Sequence, residues 1–167
     1  MFVNNRFVKF KFEKPNDSLK LNHENIINVL FYSEKNLLLS NGLSNEKNLA
    51  KFLKKIIENN LASNCIVRSE KGIFLLINRK DHKSDLTNKY LEDLGGSIFN
   101  QTKSIGCSEV RIFEDDQYLN RQIALGILLS SYKFNNFKKN KSKDIIDIKN
   151  VTFICDEPKK HSQNIQE

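Results

Sequence analysis

The chain has 167 residues, of which 39% are hydrophobic and 28% charged, and its formal net charge is +7. These values are typical of one globular domain with a buried core. No apolar run reaches the roughly 18 to 20 residues that a membrane span needs, and no basic start with an apolar block marks a signal peptide. We therefore expect a soluble cytoplasmic protein with no membrane partner.

The first part of the sequence predicts two strands and a helix. Residues 6–12 place apolar side chains between lysines, which is typical of a strand with one wet face. The apolar run from Ile26 to Tyr32 predicts a strand buried on both faces. Ser44 or Asn45 is expected to cap a helix with apolar residues at helical spacing. These residues are Leu49, Phe52, Leu53, Ile56 and Ile57.

The middle of the sequence predicts two strands around a turn and a second helix. The strands are Cys65–Arg68 and Ile73–Asn78, and Gly72 stands in the turn between them. Ser84–Asp85 is expected to cap the helix, which continues through Gly95–Gly96 to Phe99. Its apolar residues are Leu86, Tyr90, Leu91 and Leu94. The glycine pair predicts close packing of this helix on the sheet, because glycine is otherwise costly inside a helix.

A fifth strand, a third helix and a last strand complete the pattern. The strands are Glu109–Phe113 and Asn150–Cys155, and the helix begins at about Asp116. Its apolar side carries Tyr118, Leu119, Ile123, Ala124, Ile127 and Leu128. Helices between strands imply crossover connections. The fold class is therefore predicted to be α/β, with a mixed, largely parallel sheet and helices on both faces.

Residue types that often perform chemistry are dispersed in this sequence. The histidines lack a second ligand at metal spacing, and the cysteines lie too far apart for a CxxC pair. They are His23, His82 and His161, and Cys65, Cys107 and Cys155. The cysteines lie in or near apolar stretches, which favours small core residues. The acidic run Glu114–Asp116 precedes a helix, where carboxylates favour the positive end of the helix dipole. No catalytic or metal-binding residue is assigned.

Aromatic residues and lysines are interleaved after the third apolar helix. The aromatic residues are Tyr132, Phe134 and Phe137, and the lysines are Lys133, Lys138, Lys139, Lys141 and Lys143. In one interpretation the aromatic rings pin the helix end to the core and the lysines stay in water. In the other, the stretch binds nucleic acid. With five arginines among 27 basic residues, we expect such DNA binding to be weak, non-specific and lost near physiological salt.

The segment from Ala124 to Lys139 is the most distinctive in the sequence: an apolar helix ends in the small residues Ser130–Ser131, before the aromatic residues. It resembles the signature that closes the N-terminal domain of leucyl aminopeptidases (cytosol aminopeptidases), in which Ala-Glu-Gly leads into Tyr-Arg-Phe-Asp-x-Tyr-Lys. The shared residues are Ala124, Gly126, Leu128, Leu129, Tyr132, Phe134 and Lys138. The departures are Leu125, Lys133, Asn135 and Phe137, where the family usually has an acid, Arg, Asp and Tyr.

The resemblance implies a macrodomain-like fold for residues 1–155 and a non-catalytic role in assembly and substrate access. Residues 156–167 would begin a linker to a C-terminal catalytic domain that this sequence lacks. In the family that domain holds two divalent metals, zinc or manganese, with carboxylates and a lysine. The enzymes are cytosolic homo-hexameric metalloproteases, hydrolases that remove N-terminal amino acids from peptides. The segment alone is expected to need no cofactor and to be inactive.

Two other functions stay open from the sequence. A macrodomain-like fold could bind a nucleotide, although the chain has six glycines and no glycine-rich loop after a strand to receive a diphosphate. The lysines from Lys133 to Lys143 leave a weak DNA-binding module as the other alternative.

Overall fold

The computed structural model describes residues 8–15, 21, 23–33, 43, 46–59, 64–80, 83–137 and 147–162, with the backbone alone at 133–137 and 161–162. The strands are β1 (Lys9–Glu13), β2 (Ile26–Tyr32), β3 (Cys65–Ser69), β4 (Gly72–Asn78), β5 (Glu109–Phe113) and β6 (Asn150–Ile154). The helices are α1 (Lys47–Asn59), α2 (Asn88–Ser104), α3 (Gln117–Phe137) and the short α4 (Pro158–Ser162).

The described strands form one six-stranded sheet in the order β1-β6-β5-β2-β4-β3. Every pair is parallel except β3 with β4, which are joined by a hairpin and run antiparallel. Parallel neighbours need crossover connections, and α2 and α3 provide them after β4 and β5. The prediction of an α/β fold with a mixed, largely parallel sheet is confirmed.

Helices cover both faces of the sheet. On one face, Leu49, Leu53 and Ile57 of α1 pack over a cluster that includes Phe74 and Leu76. On the other face, α2 and α3 pack over a larger cluster, which contains Val29, Phe31, Ile98, Ile123 and Ile127. The central strand β2 is buried along its whole length, as its continuous apolar run predicts.

The start of α2 differs from the prediction. Lys83–Asp85 form a turn of 3-10 helix, and α2 begins only at Asn88. Its cap is Thr87, whose side-chain oxygen accepts a hydrogen bond from the backbone N–H of Tyr90 at 3.2 Å. The prediction of a cap at Ser84–Asp85 was wrong, because several residues here have capping chemistry and Thr87 is the one next to the first helical turn. The predicted cap of α1, Ser44 or Asn45, lies outside the described residues.

Two aromatic residues assigned to apolar helix faces point outward. Phe52 of α1 is 46% exposed and Tyr118 of α3 is 48% exposed. Helical spacing defines an arc wider than 100°, and the sheet covers only part of that arc. The buried row of α1 is therefore Leu49, Leu53 and Ile57, and Phe52 lies beside that row. On α3 the hydroxyl of Tyr118 instead donates a hydrogen bond to the side-chain oxygen of Asn88.

The glycine pair of α2 packs against a helix rather than the sheet, so that prediction was wrong. A Cβ atom on Gly95 would lie 2.2 Å from the backbone oxygen of Ile123 in α3. A Cβ atom on Gly126 would lie 2.0 Å from the backbone oxygen of Glu92 in α2. The backbones of α2 and α3 thus touch at two glycines, a contact that any side chain would prevent. α3 also continues beyond Ser130–Ser131 to Phe137, whereas the sequence predicted its end at the serines.

The cysteines and the last segment complete the fold. All three cysteines are free thiols: Cys107 and Cys155 are buried, as expected of small core residues, whereas Cys65 is only half-buried. Within residues 156–167, expected to begin a linker, α4 contacts β1 and α3. The side-chain amide of Gln117 in α3 donates a hydrogen bond to the backbone oxygen of Lys160 at 2.8 Å.

The contact between α2 and α3 predicts different outcomes for neighbouring glycines. We expect Gly126→Ala to lower the free energy of unfolding by about 1–3 kcal/mol or more, because the new methyl group would overlap the backbone of α2. Gly96→Ala is the matched control, since its methyl group would meet only the Ser130 hydroxyl and alanine favours a helix by about 1 kcal/mol. Urea unfolding measures both changes, and equal destabilisation by the two variants would contradict this packing.

Candidate functional site

The carboxyl ends of the parallel strands meet at one edge of the sheet. There β2 lies between β4 and β5, and the chain continues from β2 to α1 on one face of the sheet but from β4 and β5 to α2 and α3 on the other face. Such a topological switch point is where open α/β sheets commonly bind ligands. Arg79 follows β4 and Glu114 follows β5, so the topology places both residues at this edge.

Arg79 and Glu114 form a buried ion pair across the end of β2. Nη2 of Arg79 lies 3.4 Å from Oε2 of Glu114, and both side chains are only 9% exposed. The guanidinium carbon also lies 5.5 Å from the centre of the Phe31 ring, a cation–π contact with β2. The backbone N–H of Arg79 donates to the oxygen of Tyr32 at 2.8 Å, which holds Arg79 beside this strand.

Glu114 connects the ion pair to the start of α3. Its Oε1 accepts a hydrogen bond from the backbone N–H of Asp116 at 3.1 Å. Asp116 in turn caps α3, since its Oδ1 accepts from the N–H of Leu119 at 3.0 Å. Burial raises the pKa of the Glu114 carboxyl above its usual value, although Arg79 and the Asp116 N–H lower it. For the acidic run, the structure therefore shows one ion-pair partner and one helix cap.

The described residues offer no metal-binding constellation. Among them, no group of three or more His, Cys, Asp or Glu side chains is arranged to hold a metal ion. His23 is exposed, with Nδ1 accepting a hydrogen bond from the N–H of Asn25 at 3.4 Å. His82 and the side chain of His161 lie outside the described part of the chain. Burial raises the pKa of the Cys155 thiol to about 11, the opposite of what an activated nucleophile needs.

The seven signature residues divide between the core and the surface. Ala124 and Gly126 are buried against the rest of the domain, and Leu128 is half-buried. Leu129 is 43% exposed and Tyr132 is 60% exposed. The expectation that Tyr132 pins the helix end to the core was wrong, because the helix continues and turns this ring outward. The side chain of Phe134 and all of Lys138 lie outside the described residues.

Of the outward signature residues, Leu129 lines a surface that we call the outer groove. It is a depression of about 500 Å³ between α2 and α3, and its lining includes Glu92, Asp93, Gly96, Leu129 and Ser130. The depression exists because glycine and serine form its floor. Leu125 lies one turn before Leu129 on α3 and is also exposed, so an apolar rim adjoins the two carboxylates.

The side chains of the predicted nucleic-acid contacts lie outside the described part of the chain. Lys133 belongs to α3, where only its backbone is described, and Lys138, Lys139, Lys141 and Lys143 lie outside the described residues. A different basic surface is described on α1, where four lysines occupy the exposed face opposite the buried row. They are Lys47, Lys51, Lys54 and Lys55.

Sequence reasoning missed the ion pair and the outer groove. Arg79 stood in a polar run after a predicted strand, and the signal that could have found it is position: residues just after parallel strands share one edge. No local sequence pattern predicts the exposure of Leu129 and Tyr132, because helical spacing does not show which part of an apolar arc another helix covers.

The chain matches no protein-family model and no curated protein sequence. The resemblance of Ala124–Lys139 to the aminopeptidases therefore rests on the sequence motif. Within the described part of the chain, every helix is too short or too polar to cross a bilayer.

The buried carboxyl of Glu114 predicts a pH dependence of stability. Its pKa is higher in the folded than in the unfolded chain, so the folded state keeps the proton where the unfolded state releases it. The stabilisation from this difference is fully present below the pKa of Glu114 in the unfolded chain. It is lost as the pH rises through the pKa of Glu114 in the folded chain. Relative to Glu114→Gln, which cannot ionise, the wild type should lose free energy of unfolding as the pH rises above about 4, the usual pKa of an unfolded glutamate.

Urea unfolding at a series of pH values measures that difference. Glu58→Gln is the matched control, because Glu58 lies on the exposed face of α1 and its substitution leaves Glu114 and Arg79 in place. A wild type that gains stability over Glu114→Gln as pH rises would mean that the attraction to Arg79 outweighs burial.

Proposed function

We propose that this chain is the non-catalytic N-terminal domain of a metal-dependent leucyl aminopeptidase and that it serves assembly and substrate access. One observation carries the proposal: the aminopeptidase-like signature is divided between the core and the surface. Gly126 brings α3 against α2 and Ala124 is buried in the core, whereas Leu129 and Tyr132 are exposed to solvent. A domain that docks in a larger assembly can bury these neighbouring apolar side chains against its partner.

The arrangement of the described carboxylates agrees with a non-catalytic role for this domain. Activation of water by a metal needs several convergent ligands and an open coordination position. In the acidic run before α3, Glu114 forms an ion pair and Asp116 caps the helix. In the proposed enzyme, the zinc or manganese chemistry belongs to a separate catalytic domain, as the resemblance to the aminopeptidases implies.

The gene sequence beyond the codon for Glu167 tests the proposal first. It should encode a further domain with several carboxylates and a lysine as metal ligands. The 167-residue chain should not hydrolyse leucine amide with added zinc or manganese, whereas the longer product should hydrolyse it and lose the activity to a chelator. A coding sequence that stops at Glu167, or a metal-dependent peptidase activity of the short chain, would contradict the proposal.

A second candidate function is nucleotide binding at the carboxyl edge of the sheet. One observation favours it: Nε of Arg79 has no hydrogen-bond partner among the described residues, and it lies at the topological switch point. Against it, Glu114 already engages the guanidinium, and its negative charge would repel a diphosphate. Phosphate sites in α/β folds usually rely on backbone N–H groups of a glycine-rich loop, which the sequence lacks.

Calorimetry with ADP-ribose decides between the two candidates. We expect no heat of binding, because the ion pair occupies the end of β2 between β4 and β5. The informative control is Glu114→Gln, which removes the repelling charge and leaves Arg79 in place. Micromolar binding by the wild type that Arg79→Met abolishes would overturn the ranking and make the nucleotide the ligand of this domain.

A further inference from the structure

The outer groove brings an exposed apolar side chain next to negative charge. Leu129 lines the groove on the α3 side, and Glu92 and Asp93 line it on the α2 side. Leu125 and Tyr132 are exposed about one turn before and after Leu129 on α3 and extend the apolar surface beside the groove. Neither carboxylate forms an ion pair with another residue in the described ranges. A partner that fits this surface should therefore present a large apolar side chain among positive charges.

The outer face of α1 has that complementary character. Lys47, Lys51, Lys54 and Lys55 follow one another along its exposed side. Phe52 lies beside them and is 46% exposed, although an aromatic ring of its size gains most from burial. No ion pair joins these lysines to another described residue. α1 thus carries an aromatic ring among unpaired positive charges.

We propose that the outer groove binds α1 of a second copy of this chain. In this contact Phe52 inserts between Leu129 and Tyr132, and the lysines around it lie against Glu92 and Asp93. Apolar burial supplies the affinity, while the opposite charges set orientation and exclude the wrong register. The described surfaces favour a second copy as the occupant, since the same chain carries both the outer groove and the complementary face of α1.

The position of the two surfaces determines the kind of assembly. α1 packs on one face of the sheet, and α2 with α3 on the other. Each copy therefore uses α1 toward one neighbour and the outer groove toward another, which is a heterologous contact. Such contacts produce a ring if the rotation closes and an open chain if it does not. The inference deepens the assembly role in the proposed function and rests on it for its biological meaning.

Charge reversal tests the contact with the 167-residue chain itself. A groove variant carries Glu92→Lys and Asp93→Lys, and a helix variant carries Lys51→Glu and Lys55→Glu. Each variant alone brings like charges together and should raise the dissociation constant for self-association about tenfold or more. An equimolar mixture restores opposite charges at every contact, so association should return. Analytical ultracentrifugation over a range of protein concentrations measures all three samples.

Two controls make the result specific. Lys14→Glu with Lys71→Glu reverses the same number of charges at exposed positions outside both surfaces and should leave association unchanged. Phe52→Ser and Leu129→Asp should each weaken association about tenfold or more, and their mixture should stop at dimers, because only one of two contacts can form. Circular dichroism confirms that each variant is folded, which is expected because the altered side chains lie at the surface or only partly within it.

The outcomes are distinct from those of the proposed function. A wild-type chain that stays monomeric at every concentration overturns the inference, and so does a loss of association that mixing fails to restore. Association that depends on the outer groove but ignores the α1 variants would show that the groove meets another surface, which also overturns it. A gene without an aminopeptidase domain would refute the proposed function and leave the measured association intact.

Discussion

The backbone contact of α2 with α3 is the constraint on which this face of the molecule depends. Because Gly95 and Gly126 lack side chains, the two helices approach until main-chain atoms touch. That approach fixes the rotation of α3 about its own axis. Ile123 and Ile127 consequently face the sheet, while Leu129 and Tyr132 face solvent. One contact therefore decides both the composition of the core and the composition of the outer groove.

A buried charge pair occupies the place where a ligand would be expected in such a sheet. Removing Arg79 and Glu114 from water is costly, and their attraction recovers that cost only with good geometry and further hydrogen bonds. Phe31 and the N–H of Asp116 supply additional contacts. The pair also joins the end of β4 to the end of β5 across β2, so it ties three strands and the start of α3 together. Its raised carboxyl pKa is the sign that burial dominates.

These two features direct the search for a functional site to the exposed helix surfaces. The carboxyl edge is filled by the protein's own side chains, and the described residues bring no set of ligands together for a metal. The exposed groups that remain unexplained by folding are apolar or charged side chains on α1, α2 and α3. The proposed role in assembly would use these side chains. The aminopeptidase proposal and the second-copy contact both proceed from that distribution.

The sequence by itself determined the strands, the order of elements and hence the mixed parallel sheet, because burial on both faces requires continuous apolar runs such as Ile26–Tyr32. It could not determine which part of an apolar helical arc is covered, so the spacing places Phe52 and Tyr118 on apolar helix sides although both are exposed. It also could not tell that Gly95 faces a helix, or that Arg79 meets Glu114. Periodicity records only that a segment has an apolar side. The neighbour on that side is chosen by contacts between residues far apart in the chain, and those exist only in the tertiary structure.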